Sequence, residues 1–369
     1  MMTHDPFDIW ATERLGRLKY QWYQGHSWAK LPLGLIYVAD VIAPNLTRNL
    51  LRVEQHEFAH ILAMLQSTDR ALPDSAFVHR MSDMRNQGGW GLPFKWYSMN
   101  GIYPETTPYI TNTPYVMEAL TQIPHTSDAR PLAETLFNDS WSFLNALKVK
   151  HKDATHLALS YAPVDEPHIV VNANSYSAYA YALHHRHGLP ENRDEAEENA
   201  TKLCRWVVDQ QYDDGRWYYL AERGPWDMID GFHSCFVVRN LRKTAELVPT
   251  VAPLVEPSIE KGWNYIRRKI YHQKSGLCRR YAEVSRADPF KFDLYDQAEY
   301  LGLLLDFGEF EEAELFAQTV RQRFCNGADW YCRIDRLGRR WGRNFLRWGI
   351  VQFWVHEARL NHHLSQKAN

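Results

Sequence analysis

Apolar residues along most of the chain recur at spacings of three and four, as in Ile259, Trp263, Ile266 and Ile270, and this pattern predicts amphipathic helices. Runs rich in Val, Ile and Tyr are too short to build a large sheet. The helical pattern also repeats, with a period of about sixty residues. Each unit opens with a Gly- and aromatic-rich loop, continues through a helix of mixed polarity, turns, and ends in a second, amphipathic helix. The loops begin at Gln87 (QGGWGLPFKWYS), Leu157 (LALSYAPVDEPH), Gln211 (QYDDGRWYYLAERGPW), Ser275 (SGLCRRYAEVSRADPF) and Asn326 (NGADWYCRIDRLGRRWGR). The mixed helices start near Arg52, Asn112, Ala173, Asp230, Leu294 and Phe345. Paired helices in this number and order predict an all-α, (α/α)6 toroid over residues 51–369, with the mixed helices inside. Residues 1–50 precede it as a separate N-terminal helical segment.

A toroid of this kind gathers its aromatic loops and inner helix starts on one face. Helix N-termini present unpaired N–H groups and a positive dipole end there, which suits anionic or hydroxyl-rich ligands. The residues expected at this cleft as substrate contacts are His56, Glu57, Trp90, Trp96, Tyr115, Asn174, Trp217, Tyr219, Tyr295 and Arg347. His233, Asp230, Tyr176 and Asp296 are the candidate acid/base groups. Asn112, Tyr161, Asn172 and Asp293 belong to the same rim, where Asn and Asp also serve as helix caps. Two reactions suit these residue types. A His or Tyr abstracts a sugar C–H proton beside a carboxylate that Asn or Arg neutralises, as in uronate epimerases and lyases. Alternatively, Asp230 and Asp293 or Asp296 flank a glycosidic bond as in inverting hydrolysis. A noncatalytic reading, in which Trp90, Trp217 and Tyr219 only stack on a glycan, stands beside both. No cofactor is implied by any of these residues.

Composition sharpens the ligand class. Trp 14, Tyr 20 and Phe 16 make 14% of the residues, and many sit beside Gly, Pro and Asn rather than in apolar runs, as in sugar-stacking surfaces. A net charge of −2 gives no global field for nucleic acid. Five cysteines without a CxxC pair fit reduced thiols and a cytoplasmic location, and the first residues carry no secretory signal pattern. The most apolar stretch, 31–43, is too short to span a bilayer. Flanked by Arg14, Arg17, Lys19, Trp22, Trp28, Lys30, Arg48 and Arg52, it suits either a core-packed hairpin or a helix lying in a membrane interface.

Two motifs point to other chemistry. His56-Glu57-Phe58-Ala59-His60 is an HExxH, which on one helix holds zinc between its two His with the Glu as base; no third-ligand motif follows, and no metal is expected. Gln211 to Trp217 matches the QxxxGxW repeat of terpene cyclase toroids. It occurs once, and no DxDD protonation motif accompanies it. In those toroids it ties outer helix to loop, so it supports the architecture more than the chemistry.

The segments DPFDIW near the start, GWGLPFKW at Gly89 to Trp96, TPYITNTPY at Thr107 to Tyr115, and DDGRWYY followed by WDMIDGFHSCFV resemble bacterial polysaccharide biosynthesis proteins. These are of the Vibrio exopolysaccharide-cluster type, a largely uncharacterised family. Asp230, Phe232 and His233 keep that family's pattern, whereas Gly231 and Ser234 depart from it. The resemblance implies a helical toroid acting on a cell-surface glycan, either an oligo- or polysaccharide or a lipid-linked precursor.

Overall fold

A computed structural model of the chain describes residues 1–224, 227–284 and 288–368. Pro225 and Trp226 of the third loop and motif, and residues 285–287 of the fourth loop, lie outside the described residues. The N-terminal segment holds α1 (Glu13–Tyr23), α2 (Lys30–Ile42) and α3 (Pro44–Leu51). It is followed by α4 (Ala59–Leu65) and α5 (Asp74–Met84), then α6 (Thr113–Thr121) and α7 (Arg130–Ala146), then α8 (Val171–His187) and α9 (Arg193–Asp209). The last three units are α10 (Gly231–Leu247) with α11 (Ala252–Tyr265), α12 (Leu294–Asp306) with α13 (Phe310–Phe324), and α14 (Val351–Ala368).

The even-numbered helices from α4 to α14 form the inner ring, each packed on the next, and α14 returns to α4 to close it. The odd-numbered helices from α5 to α13 wrap outside, each against the inner helix before it. This is the expected (α/α)6 toroid, with one difference: among the described residues no outer helix follows α14, so five outer helices rather than six accompany the inner ring. Sequence pattern accounts for the layers. In α9 the buried residues Ala196, Ala200, Leu203, Cys204 and Val207 share one face, as an outer helix with one wet side requires. In α8 every residue from Val171 to His184 is buried, and its small and aromatic side chains let neighbours approach on all sides.

Every strand lies in a connection running from an outer helix to the next inner one, never in the centre. Trp96–Ser98 forms an antiparallel hairpin with Gly101–Tyr103, and Met228–Asp230 of the third connection pairs antiparallel with Tyr281–Val284 of the fourth. The largest sheet pairs Asp329–Asp335 with Phe290–Asp293, Arg340–Arg343 and Cys325–Asn326. In the third connection Gln211 donates to the carbonyls of Gly215 (3.0 Å) and Ser258 (2.9 Å), tying the loop to α11. Gly215 adopts φ +97° there, and a Cβ would lie 2.2 Å from the Lys261 carbonyl oxygen, so the turn requires glycine.

The N-terminal segment is built into the ring. Thr3 pairs with His56 through two backbone hydrogen bonds of 2.9 Å. The buried Arg48 guanidinium holds Asp40 (2.8 Å), Asp8 (3.3 Å) and the Asp5 carbonyl (3.0 Å). Ala29 and Leu33 pack inward on Ile9 and Trp10. The opposite face of α2 and α3 is open: Trp28, Leu31, Leu35, Val38, Ile42, Leu46 and Leu50 form a continuous exposed ridge, with Leu31 73% and Leu50 74% accessible. The apolar stretch is therefore core-packed on one side only. No helix among the described residues is long and apolar enough to cross a membrane.

Candidate active site

The inner helices meet at a cavity of about 340 Å³ on the loop face, and each supplies a residue at or near its start. His60 comes from α4, Asn112 and Tyr115 from the start of α6, Asn172 and Tyr176 from α8, Phe232 and His233 from α10, Tyr295 from α12, and Arg347 with Trp348 from the turn before α14. The connections add Trp96, Tyr103, Tyr161 and Tyr219, and the N-terminal segment inserts Phe7. Half of the wall is aromatic, and Asp230 is the sole carboxylate among the described lining residues.

Asp230 caps α10. Its Oδ1 accepts the His233 backbone N–H (3.0 Å) and its Oδ2 lies 2.7 Å from His233 Nδ1. A carboxylate at that distance accepts the Nδ1–H, which fixes the tautomer and leaves Nε2 as the acceptor. Tyr219 and Phe232 hold the imidazole between them, with ring centroids 4.6 and 4.0 Å away. Gly231 is required beside this dyad, because a Cβ there would meet Asp296 Oδ1 at 2.5 Å.

Below the cavity the Tyr115 and Tyr176 hydroxyls are 2.6 Å apart, and the buried Arg239 guanidinium donates to both (2.8 and 3.2 Å). Its other arm is paired with Glu299. Arginine offers only donors, so one phenolic proton is used between the two tyrosines and the other is left for a further acceptor. Burial pushes the Tyr115 phenol up to about 12, despite the opposing Arg239 charge, so both phenols stay protonated near neutrality. Behind the wall residues Tyr103 and Tyr161, Glu166 accepts from Tyr103 Oη (2.6 Å) and from the backbone N–H of Tyr161 (2.6 Å) and Ala162 (3.2 Å); burial pushes its carboxyl up to about 7.

Five polar atoms of residues at the wall, His60 Nδ1, Asn100 Oδ1, Asn112 Nδ2, Asn172 Oδ1 and Arg347 Nε, are buried without a protein hydrogen-bond partner among the described residues. Buried polar atoms are nearly always satisfied, so these are left to water or to polar groups of a bound molecule. Burial holds the His60 imidazole neutral, at about 3.

Of the residues expected from sequence, His233, Asp230, Tyr176, Trp96, Tyr115, Tyr219, Tyr295 and Arg347 line this cavity. Six do not. Trp90 and Trp217 are core residues whose indole N–H groups donate to the Met81 (2.8 Å) and Val207 (2.9 Å) carbonyls. Asn174 faces the other side of α8, where it satisfies the Leu159 backbone N–H (2.7 Å). Asp296 lies one layer behind the wall: its Oδ1 accepts the Phe232 N–H (2.8 Å), its Oδ2 has no partner among the described residues, and burial beside Asp293 and Asp230 raises its pKa well above the ordinary carboxylate value. His56 and Glu57 precede the first inner helix, which begins at Ala59 rather than near Arg52, so the two His of the HExxH do not share a helix face. Glu57 instead pairs with Arg80 (3.0 Å) and the Met1 amino group (2.8 Å). The start expected near Phe345 also moves, to Val351, because Trp348 and Gly349 are non-helical. Arg239, Glu166 and Phe7 were not expected at the site. Arg239 had a signal: a charge inside the apolar run CFVVRNL of an inner helix is buried only when paired. Asp293 is consumed by Trp348 Nε1 (2.9 Å), Arg333 (3.2 Å) and the Tyr295 N–H (3.1 Å), leaving no second carboxylate to face Asp230.

The ring and its aromatic cavity define an (α/α)6 toroid with a pocket at the inner helix starts. No family model matches the chain, and no curated protein does. Solved structures share the architecture: a sugar epimerase from a ruminal bacterium (10% identity, 82% of this chain and 86% of that one, TM-score 0.59) and the cellobiose 2-epimerase of Bacillus thermoamylovorans (11%, 84% and 90%, 0.58). A D-mannose isomerase is similar to the same degree (14%, 84% and 85%, 0.58).

Proposed function

We propose that this protein is a carbohydrate epimerase or isomerase working by proton transfer, with His233 as base, oriented by Asp230. The observation that carries the reading is the 2.7 Å contact between His233 Nδ1 and Asp230 Oδ2 at the cavity wall. His233 Nε2 takes a proton from a sugar carbon next to a carbonyl or carboxylate. The C–H electron pair forms the C=C bond of an enediolate, and the carbonyl pair moves onto oxygen. The phenolic proton of the Tyr115/Tyr176 pair, backed by the Arg239 charge, hydrogen-bonds that oxygen. If the planar enediolate turns over in the cavity, protonated His233 returns the proton to the opposite face of the same carbon and gives an epimer; return to the neighbouring carbon, with the hydroxyl proton of the first carbon passing to the former carbonyl oxygen, gives an isomer.

The fold neighbours' activities on sugars support this substrate class. The resemblance of the quoted segments to polysaccharide biosynthesis proteins supports a role on a cell-surface glycan, free or lipid-linked. Inverting hydrolysis is disfavoured, since it needs two carboxylates across the cavity and Asp230 is the sole one among the described lining residues. The aromatic wall also supports a second reading, a noncatalytic glycan-binding factor.

Incubation of the purified protein in D2O with reducing sugars and uronate-containing oligosaccharides tests the choice. Deuterium incorporation by mass spectrometry, lost in His233→Ala, is the expected result. Saturable binding of one of these glycans without any exchange establishes the noncatalytic reading instead.

A further inference from the structure

The exposed ridge along α2 and α3 is the largest unpartnered apolar face of the N-terminal segment, and soluble proteins rarely leave such a row open without a use for it. Charge on it is sparse. Between residues 24 and 51 the only carboxylate is Asp40, which is turned inward to Arg48, while Lys30 at the head of α2 is exposed; just beyond α3, exposed Arg52 is matched by exposed Glu54. A second copy of the chain would bring no exposed carboxylate from its own α2 or α3 to meet Lys30; an anionic lipid surface would supply the opposite charge. Trp28 stands where the ridge begins, as aromatic residues do at a headgroup boundary.

The ridge also adjoins the site. A groove of about 390 Å³ runs beneath α2, lined by Lys30, Leu33, Gly34 and Tyr37, and Phe7, Lys19, Tyr23 and Arg280 belong both to it and to the central cavity. Its inner wall carries Arg333, 8% exposed, with one guanidinium nitrogen lacking a hydrogen-bond partner among the described residues. We propose that the α2–α3 ridge seats this protein on an anionic membrane surface, with the groove opening from that surface into the cavity. This does not depend on the reaction performed in the cavity.

Sedimentation with vesicles of phosphatidylcholine alone and of phosphatidylcholine with phosphatidylglycerol is the test, using full-length protein. The expected result is pelleting with the anionic vesicles that weakens with salt. Leu35→Glu should lower the bound fraction about tenfold or more and Lys30→Ala several-fold, both with unchanged melting temperature because the side chains are exposed. Absence of pelleting overturns the proposal. Equal pelleting on neutral vesicles overturns its anionic character. A dimer in light scattering that Leu35→Glu dissociates, without vesicle binding, assigns the ridge to a second copy and also overturns it.

Discussion

His233 Nδ1 and Asp230 Oδ2 are 2.7 Å apart, and the same carboxylate caps the helix that carries the imidazole. One side chain thus fixes both the backbone that positions the base and the tautomer that makes it one. Asp230→Asn separates these duties. Asparagine caps a helix as well as aspartate does, so the melting temperature should hold, but its amide N–H2 favours the wrong tautomer. Deuterium exchange should fall about 10²-fold or more with little change in KM. Exchange at the wild-type rate in this variant removes the dyad from the mechanism.

Arg239→Met should be severely destabilising, because it strands Glu299 in the core without its partner; removing one member of a buried pair costs about 3–5 kcal/mol. The double variant Arg239→Met/Glu299→Gln should recover much of that stability in urea titrations, yet stay inactive, since the phenols lose their cationic backing. A double variant as unstable as the single one contradicts the ion-pair account.

Glu166 sets a pH dependence on the wall that holds Tyr103 and Tyr161. Its folded-state carboxyl is pushed up to about 7 from 4.5, chiefly by burial, so the folded protein binds that proton more tightly than the unfolded chain. The associated stability is complete below pH 4.5 and is lost as pH rises through about 7, by roughly 3 kcal/mol at 1.36 kcal/mol per unit. Denaturation of wild type and Glu166→Gln at several pH values isolates this term. The advantage of wild type over the variant should shrink from pH 4.5 to pH 8, and a constant difference refutes it.

Aromatic residues that look alike in sequence should separate by experiment. Trp90→Ala and Trp217→Ala each empty a buried site and break an indole hydrogen bond, and should cost about 3–5 kcal/mol of stability. Trp96→Ala, at the cavity wall beside Lys19, should leave the melting temperature nearly unchanged and weaken glycan binding in calorimetry.

The layer order was legible because hydrophobic periodicity and loop composition both repeat with the helix pairs, and the rim residues that start inner helices, such as Asp230, Tyr295 and Tyr115, followed from it. Position within the first turn was not legible. Asn174 and Tyr176 are two residues apart on α8, yet one faces a loop backbone and the other the cavity, a rotation that the uniformly buried sequence of that helix does not encode. Trp90 and Trp217 misled because a Gly-rich loop gives tryptophan the same sequence context whether it stacks inward on the core or outward on a ligand. His56 and Glu57 miss the cleft for a local reason: His56 bridges to the backbone of Thr3, and the first inner helix starts only after Phe58.

The packing of α14 on α4 brings together segments separated by most of the chain, with Arg70 reaching over the Trp354 ring at 3.7 Å. Neighbouring hairpins are adjacent in sequence, whereas this seam joins the two ends of the ring and closes a loop that spans most of the chain, at a correspondingly larger entropic cost. Refolding should therefore end in a slow phase sensitive to Trp354→Ala, and the incomplete ring that precedes it exposes the apolar flanks of its two end helices, making it the species most prone to aggregate.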